Sequence, residues 1–132
     1  MRPSAPKQGE GIFSRLRELA GKVYLQAAFR KRVRKGIGFL NTVKPGWWER
    51  IDLERLDMLH TRLCLCGQLY GRHKNAYRVL RLSPADFVMY GFLPDGRDYR
   101  RTKGLPQDLL TRVWTRQIKK LKRRPCRRRA DI

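Results

Sequence analysis

The sequence predicts an all-α fold: a small multi-helix domain with a basic N-terminal helix and a basic C-terminal helix and tail. Three observations carry this expectation. Apolar residues recur at three- and four-residue intervals through two long stretches, from Ile12 to Ala27 and from Leu109 to Leu121. Helix stops and starts separate the apolar stretches, at Pro45-Gly46, Gly71, Ser83-Pro84, Pro106 and Pro125. There is no convincing run of strands, and no internal repeat.

Each element follows from local chemistry. Met1–Gly11 contains two Pro and two Gly and reads as a flexible leader. Ile12, Leu16, Leu19, Ala20, Val23 and Ala27 then mark one helix face, with Arg15, Glu18 and Lys22 on or near the other. This predicts a basic amphipathic helix with the apolar face in the core and the cations outward. Phe29 and Val33 continue the pattern, and Gly36 and Gly38 loosen it before Ile37, Phe39, Leu40 and Val43 form a second helix or a kinked continuation. Pro45-Gly46 ends it, because the residue before proline is disfavoured in a helix.

Trp47 and Trp48 read first as a core plug and helix stopper, with base stacking as the rival role. Ile51–Met58 alternates apolar residues with Asp52, Glu54 and Asp57 and reads as a turn-rich link. Its acids have Arg50, Arg55 and the preceding basic helix as available partners. Leu63–Tyr70 is a compact apolar run, a buried helix stopped at Gly71, and Asn75–Leu82 is a second short piece. Ser83-Pro84-Ala85-Asp86 has the spacing of a capping box and opens a helix carrying Phe87, Val88 and Tyr90. Phe92–Gly104 reads as loop. Pro106 opens the last helix, whose stripe is Leu109, Leu110, Val113, Trp114, Ile118 and Leu121. The expected organisation is a leader over 1–11, one domain over 12–121 with its core at Trp114 and Leu63–Tyr70, and a basic tail over 122–132.

The formal net charge is +21, and its distribution matters more than its size. Residues 1–35 hold ten Lys/Arg against two acids, and residues 112–132 hold ten against Asp131 alone. Residues 36–70 carry four of each. Cations crowded at two ends repel one another unless an outside anion neutralises them, which points to a polyanion partner. Solubility alone is met by a net charge of roughly 2–8. Arginine predominates, and its planar guanidinium holds phosphate by two hydrogen bonds where lysine acts as a point charge. Two contact stripes follow: Arg30, Lys31, Arg32, Arg34 and Lys35, and then Lys119, Lys120, Lys122, Arg123, Arg124, Arg127, Arg128 and Arg129.

Other chemistry is sparse. Cys64 and Cys66, with His60 and His73 nearby, could be stretched into a zinc set, but the apolar run around them suits buried thiols. Three unevenly spaced cysteines suit a reducing compartment without disulfides. No nucleophile–base set stands out, so a non-enzymatic role without metal or cofactor is expected. No stretch reaches the roughly 20 apolar residues of a membrane-spanning helix. Glu10 and Glu18 count against a mitochondrial presequence, and Met1–Gly11 lacks the apolar run of a secretory signal.

A longer pattern runs from Gly36 to Ile118. It comprises Gly36-Ile37, Leu40, Pro45-Gly46-Trp47-Trp48, Ile51-Asp52-Leu53, Leu56-Asp57, Cys64 and Gly67-Gln68-Leu69-Tyr70-Gly71. It continues with Gly91-Phe92, Leu110-Thr111, Trp114 and Ile118. In these residues the chain resembles a family of short uncharacterised proteins of actinobacterial phages. The family's pattern has a Cys-x-x-Cys before the Gly-Gln, and Thr61 stands at the first of those positions here. The resemblance implies a small phage accessory protein of the bacterial host cytoplasm whose ends have become basic.

The expectation is therefore non-enzymatic, sequence-tolerant binding of DNA or structured RNA through phosphates. The main alternative is a protein-interaction module docking on a host machine such as polymerase or ribosome. An anionic membrane surface, met by the Ile12–Lys35 helix, is the third.

Overall fold

The computed structural model describes residues 8–101 and 106–123, with side chains from 11 to 100 and from 106 to 123. Six α-helices and no strand occur among these residues, so the fold is all-α. They are α1 (Gln8–Val43), α2 (Leu65–Tyr70), α3 (His73–Leu80), α4 (Pro84–Met89), α5 (Gly96–Arg101) and α6 (Pro106–Lys122). A 3-10 turn, Trp47–Arg50, follows α1.

Helix α1 is the spine. Its 36 residues run unbroken through Gly36 and Gly38, a length of about 54 Å at 1.5 Å per residue. The sequence leaves a break or kink open here; packing removes it. Helix α6 lies against Gly36, where a methyl group would meet the Tyr90 carbonyl oxygen and come within 3.0 Å of the Trp114 ring. The missing side chain is what lets α6 and the Tyr90 turn approach α1. The helix also begins inside the expected leader, at Gln8.

The core lies on one face of the second half of α1. Leu25, Phe29, Val33 and Leu40 are buried there, opposite Leu110, Val113, Trp114 and Ile118 of α6. Trp47 meets Trp114 edge to face at 5.9 Å, and Phe92 stacks on Trp114 at 6.0 Å. The Trp114 Nε1–H donates to the Gly91 carbonyl at 2.6 Å, so the largest core residue leaves no donor unmet. Both Trp47 and Trp48 are buried, and Trp47 Nε1–H donates to Asn41 Oδ1 at 2.9 Å. They serve the core and are closed to stacking on bases.

The expected core face of the first half of α1 is corrected by the structure. Ile12, Leu16, Leu19 and Val23 are all more than half exposed. Their spacing is helical as predicted, but the domain packs only against the stripe that begins at Leu25. Periodicity finds an apolar face; it does not say whether anything covers it.

The irregular link between Ile51 and Cys64 is held by polar side chains. Gln68 accepts from Asp52 N–H at 2.7 Å and donates to the Asp52 and Leu63 carbonyls at 3.2 and 3.0 Å. Thr111 of α6 accepts from Met58 N–H at 2.9 Å and donates to the Gln107 carbonyl at 2.7 Å. Asp52 and Asp57 accept from the Glu54 and Leu59 backbone N–H groups. These carboxylates close turns, as Asp side chains do two residues ahead of an N–H. The capping box at Ser83 forms as its spacing predicts, Ser83 accepting from Asp86 N–H and Asp86 accepting from Ser83 N–H. The stretch expected as loop after Phe92 contains the short helix α5, fixed by Asp98.

Gly36→Ala is expected to destabilise the domain by about 1–3 kcal/mol through overpacking. Gly38→Ala, with nothing within 4 Å of the added methyl, is expected to be neutral or slightly stabilising. Urea unfolding of both variants beside the parent checks the placement of α6 on α1.

Candidate nucleic-acid interface

Helix α6 has two faces. Leu110, Val113, Trp114 and Ile118 point into the core, while Arg112, Arg116, Lys119, Lys120 and Arg123 are exposed along the other side. The four- and three-residue steps between these cations place them in one row. With Thr111 and Thr115 they line a shallow depression of about 480 Å3. The row makes no ion pair with a carboxylate among the described residues.

Helix α1 brings Lys22 and Arg30 to the same region. Arg30 lines a cleft of about 380 Å3 between α1 and α6, together with Lys22, Arg112 and Arg116. Lys31, Arg34 and Lys35 are exposed further along α1. The basic row has a boundary: Glu54, Asp57 and Asp108 share a depression with Arg55 and Arg112 at the start of α6. The positive field is therefore strongest from Arg116 towards Arg123.

Two of the predicted contact residues are engaged inside the molecule. Arg32 Nη1 and Nη2 donate to Asp98 at 2.8 and 3.3 Å, and Asp98 is 1% exposed. Asp98 also accepts from Asp95 N–H at 2.6 Å. The pair ties α5 to α1, and a bidentate arginine with a satisfied carboxylate is the arrangement that makes a buried pair tolerable. Lys122 is half-buried and donates to the Ile51 carbonyl at 2.9 Å. Arg30, Lys31, Arg34, Lys35, Lys119, Lys120 and Arg123 remain directed to solvent. Arg124, Arg127, Arg128 and Arg129 lie outside the described residues.

Arg112 and Arg116 are the residues that sequence reasoning missed. Contiguous basic runs stand out in a sequence, whereas these two stand singly, Arg112 between Thr111 and Val113 and Arg116 between Thr115 and Gln117. The signal was available in their spacing to Lys119, Lys120 and Arg123, opposite the Leu110–Trp114–Ile118 stripe.

The Cys/His group is structural. Cys64 caps α2, its Sγ accepting from Gly67 N–H at 3.2 Å, and it lies 3.5 Å from His73 Nδ1. His60 Nδ1 accepts from the Arg62 and Leu63 N–H groups at 3.1 and 3.2 Å. Cys66 is buried, and burial raises its thiol well above the usual range; burial also raises Cys64. Protonated, enclosed thiols are poor nucleophiles. Among the described residues no group of three or more His, Cys, Asp or Glu could hold a metal ion. No helix there is long and apolar enough to cross a membrane.

Compared with known proteins, the chain matches no family model, no curated protein and no solved structure.

Two predictions follow from the internal contacts. Arg32→Gln leaves Asp98 buried without its cation and is expected to cost about 3 kcal/mol, whereas Arg34→Gln leaves the unfolding midpoint unchanged in the same urea titration. His73 packs against Phe87 at 4.9 Å, and burial lowers its pKa below the ordinary 6.5. The folded state then binds fewer protons than the unfolded chain, so stability is intact above pH 6.5 and falls as pH drops through 6.5 towards the lowered value. Thermal melts across that range are expected to show the decline in the parent and its loss in His73→Gln.

Proposed function

We propose that the protein binds nucleic acid without catalysing a reaction, holding phosphates with the exposed cations of α6 and of the second half of α1. The observation that carries this reading is the row Arg112, Arg116, Lys119, Lys120 and Arg123, which has Arg30 across the cleft. A row of exposed, unneutralised cations on a rigid helix binds a line of phosphates by releasing condensed counterions. The three tryptophans are buried, so none supplies a stacking platform for splayed bases. Phosphate contacts position a duplex without reading it, and the expected ligand is DNA or structured RNA of any sequence. The resemblance of the Gly36–Ile118 pattern to short phage proteins is our ground for adding an accessory role in the bacterial cytoplasm. A second reading, docking on a host machine such as polymerase or ribosome, is favoured by the exposed apolar residues of α1.

The test is fluorescence anisotropy with a labelled DNA duplex and a labelled RNA hairpin over a salt series. The parent should lose affinity steeply with added salt. Arg112→Ala/Arg116→Ala/Arg123→Ala should reduce the slope of log K against log salt by about 3 while leaving the thermal melt unchanged. Affinity equal to that of the parent in dilute buffer would remove α6 from the interface, and absence of binding by the parent would end the proposal.

A further inference from the structure

The first half of α1 carries apolar residues that the fold does not use. At 100° per residue, Ile12, Leu16, Leu19 and Val23 fall within an arc of about 60°. The core-facing residues Leu25, Phe29, Val33 and Leu40 lie roughly 100° further round the same helix. The exposed stripe runs about 16 Å along the axis, and each of its four side chains is 55–59% exposed. An unburied stripe of this kind marks an interaction surface.

The stripe leads into the cleft between α1 and α6. Leu19 and Val23 form one apolar wall, and Leu109 and Val113 form the other. Lys22, Arg30, Arg112 and Arg116 stand around them, and no carboxylate among the described residues lines the cleft. A groove with apolar walls and a cationic rim has the complement of an acidic amphipathic helix, whose anchors repeat at i, i+4 and i+7.

We propose that the Ile12–Val23 stripe and the adjoining cleft seat an acidic amphipathic helix of a protein partner, its apolar side on Leu19 and Val23 and its carboxylates on the four cations. Other occupants fit less well. A second copy brings another +21 to the same place, and like charges repel. A bilayer surface is planar and leaves the space between Val23 and Val113 unfilled. Phosphates pair with the rim cations but give the apolar stripe nothing to pack against. The inference rests on the protein-docking reading; three of its four cations, Arg30, Arg112 and Arg116, also belong to the proposed nucleic-acid face, whereas the apolar stripe does not.

The experiment uses the full chain and a fluorescein-labelled synthetic peptide roughly five turns long, with Leu at the anchor positions and Glu on the flanks. Its scrambled isomer and vesicles of phosphatidylcholine and phosphatidylglycerol at about three to one serve as the other arms. The expected result is binding of the amphipathic peptide, weakened at least about tenfold by Leu19→Ser/Val23→Ser and by scrambling. Because both side chains are exposed, the double variant should melt as the parent does. It also keeps every cation, so its affinity for duplex should be unchanged, which separates failure of the apolar stripe from failure of the nucleic-acid reading. Equal binding of the scrambled peptide overturns the proposal in favour of charge alone. Undiminished peptide binding by the double variant overturns the site. Vesicle binding that the double variant loses, without peptide binding by the parent, assigns the stripe to membranes instead.

Discussion

The seating of Trp114 against Gly36 is the contact on which the rest of the structure depends. It fixes how closely α6 approaches α1, and it can form only because position 36 has no side chain. Trp47 closes on the edge of the same indole, and Phe92 stacks on its face. The hydrogen bond to the Gly91 carbonyl then fixes the turn that follows α4. One side chain thus registers two long helices, the 3-10 turn and the start of the α5 segment. With α6 held in this way its apolar stripe is inward, so its cations form a single outward row.

The same packing sorts the many cations by role. Arg32 is drawn in by Asp98, and it also lies over the Phe29 ring at 5.3 Å. Lys44 lies over the Tyr70 ring at 5.1 Å, and Lys122 caps the Ile51 carbonyl. These residues contribute to the fold, with the aliphatic stem buried and the charge satisfied locally. Other cations are exposed over much of the surface, and on α6 five of them, Arg112, Arg116, Lys119, Lys120 and Arg123, fall in one row. A net charge of +21 therefore includes a few internal clamps and an ordered basic row on α6, which a count of residues by segment does not reveal.

The residues of the Gly36–Ile118 pattern have structural work. Gly36 admits Trp114, Trp47 plugs the core, and Gln68 binds the irregular link through three hydrogen bonds. Thr111 joins that link to α6, and Cys64 caps α2. A pattern made of such residues describes how this domain folds. The exposed basic row of α6 is built from residues outside it, Arg116, Lys119, Lys120 and Arg123 among them.

What the sequence by itself determined was local: the helical class, the stops at Pro45-Gly46 and Gly71, the capping box at Ser83 and the buried stripe of the last helix. These follow from backbone chemistry and from apolar spacing along one segment, which need no neighbour to be read. Only the tertiary structure decided which of the two apolar stripes on α1 is covered. It also decided that Arg32 pairs with an aspartate 66 positions away, and that Arg30 shares a cleft with Arg112 and Arg116. Those outcomes depend on which surfaces meet when distant segments pack, and periodicity along a chain carries no record of that.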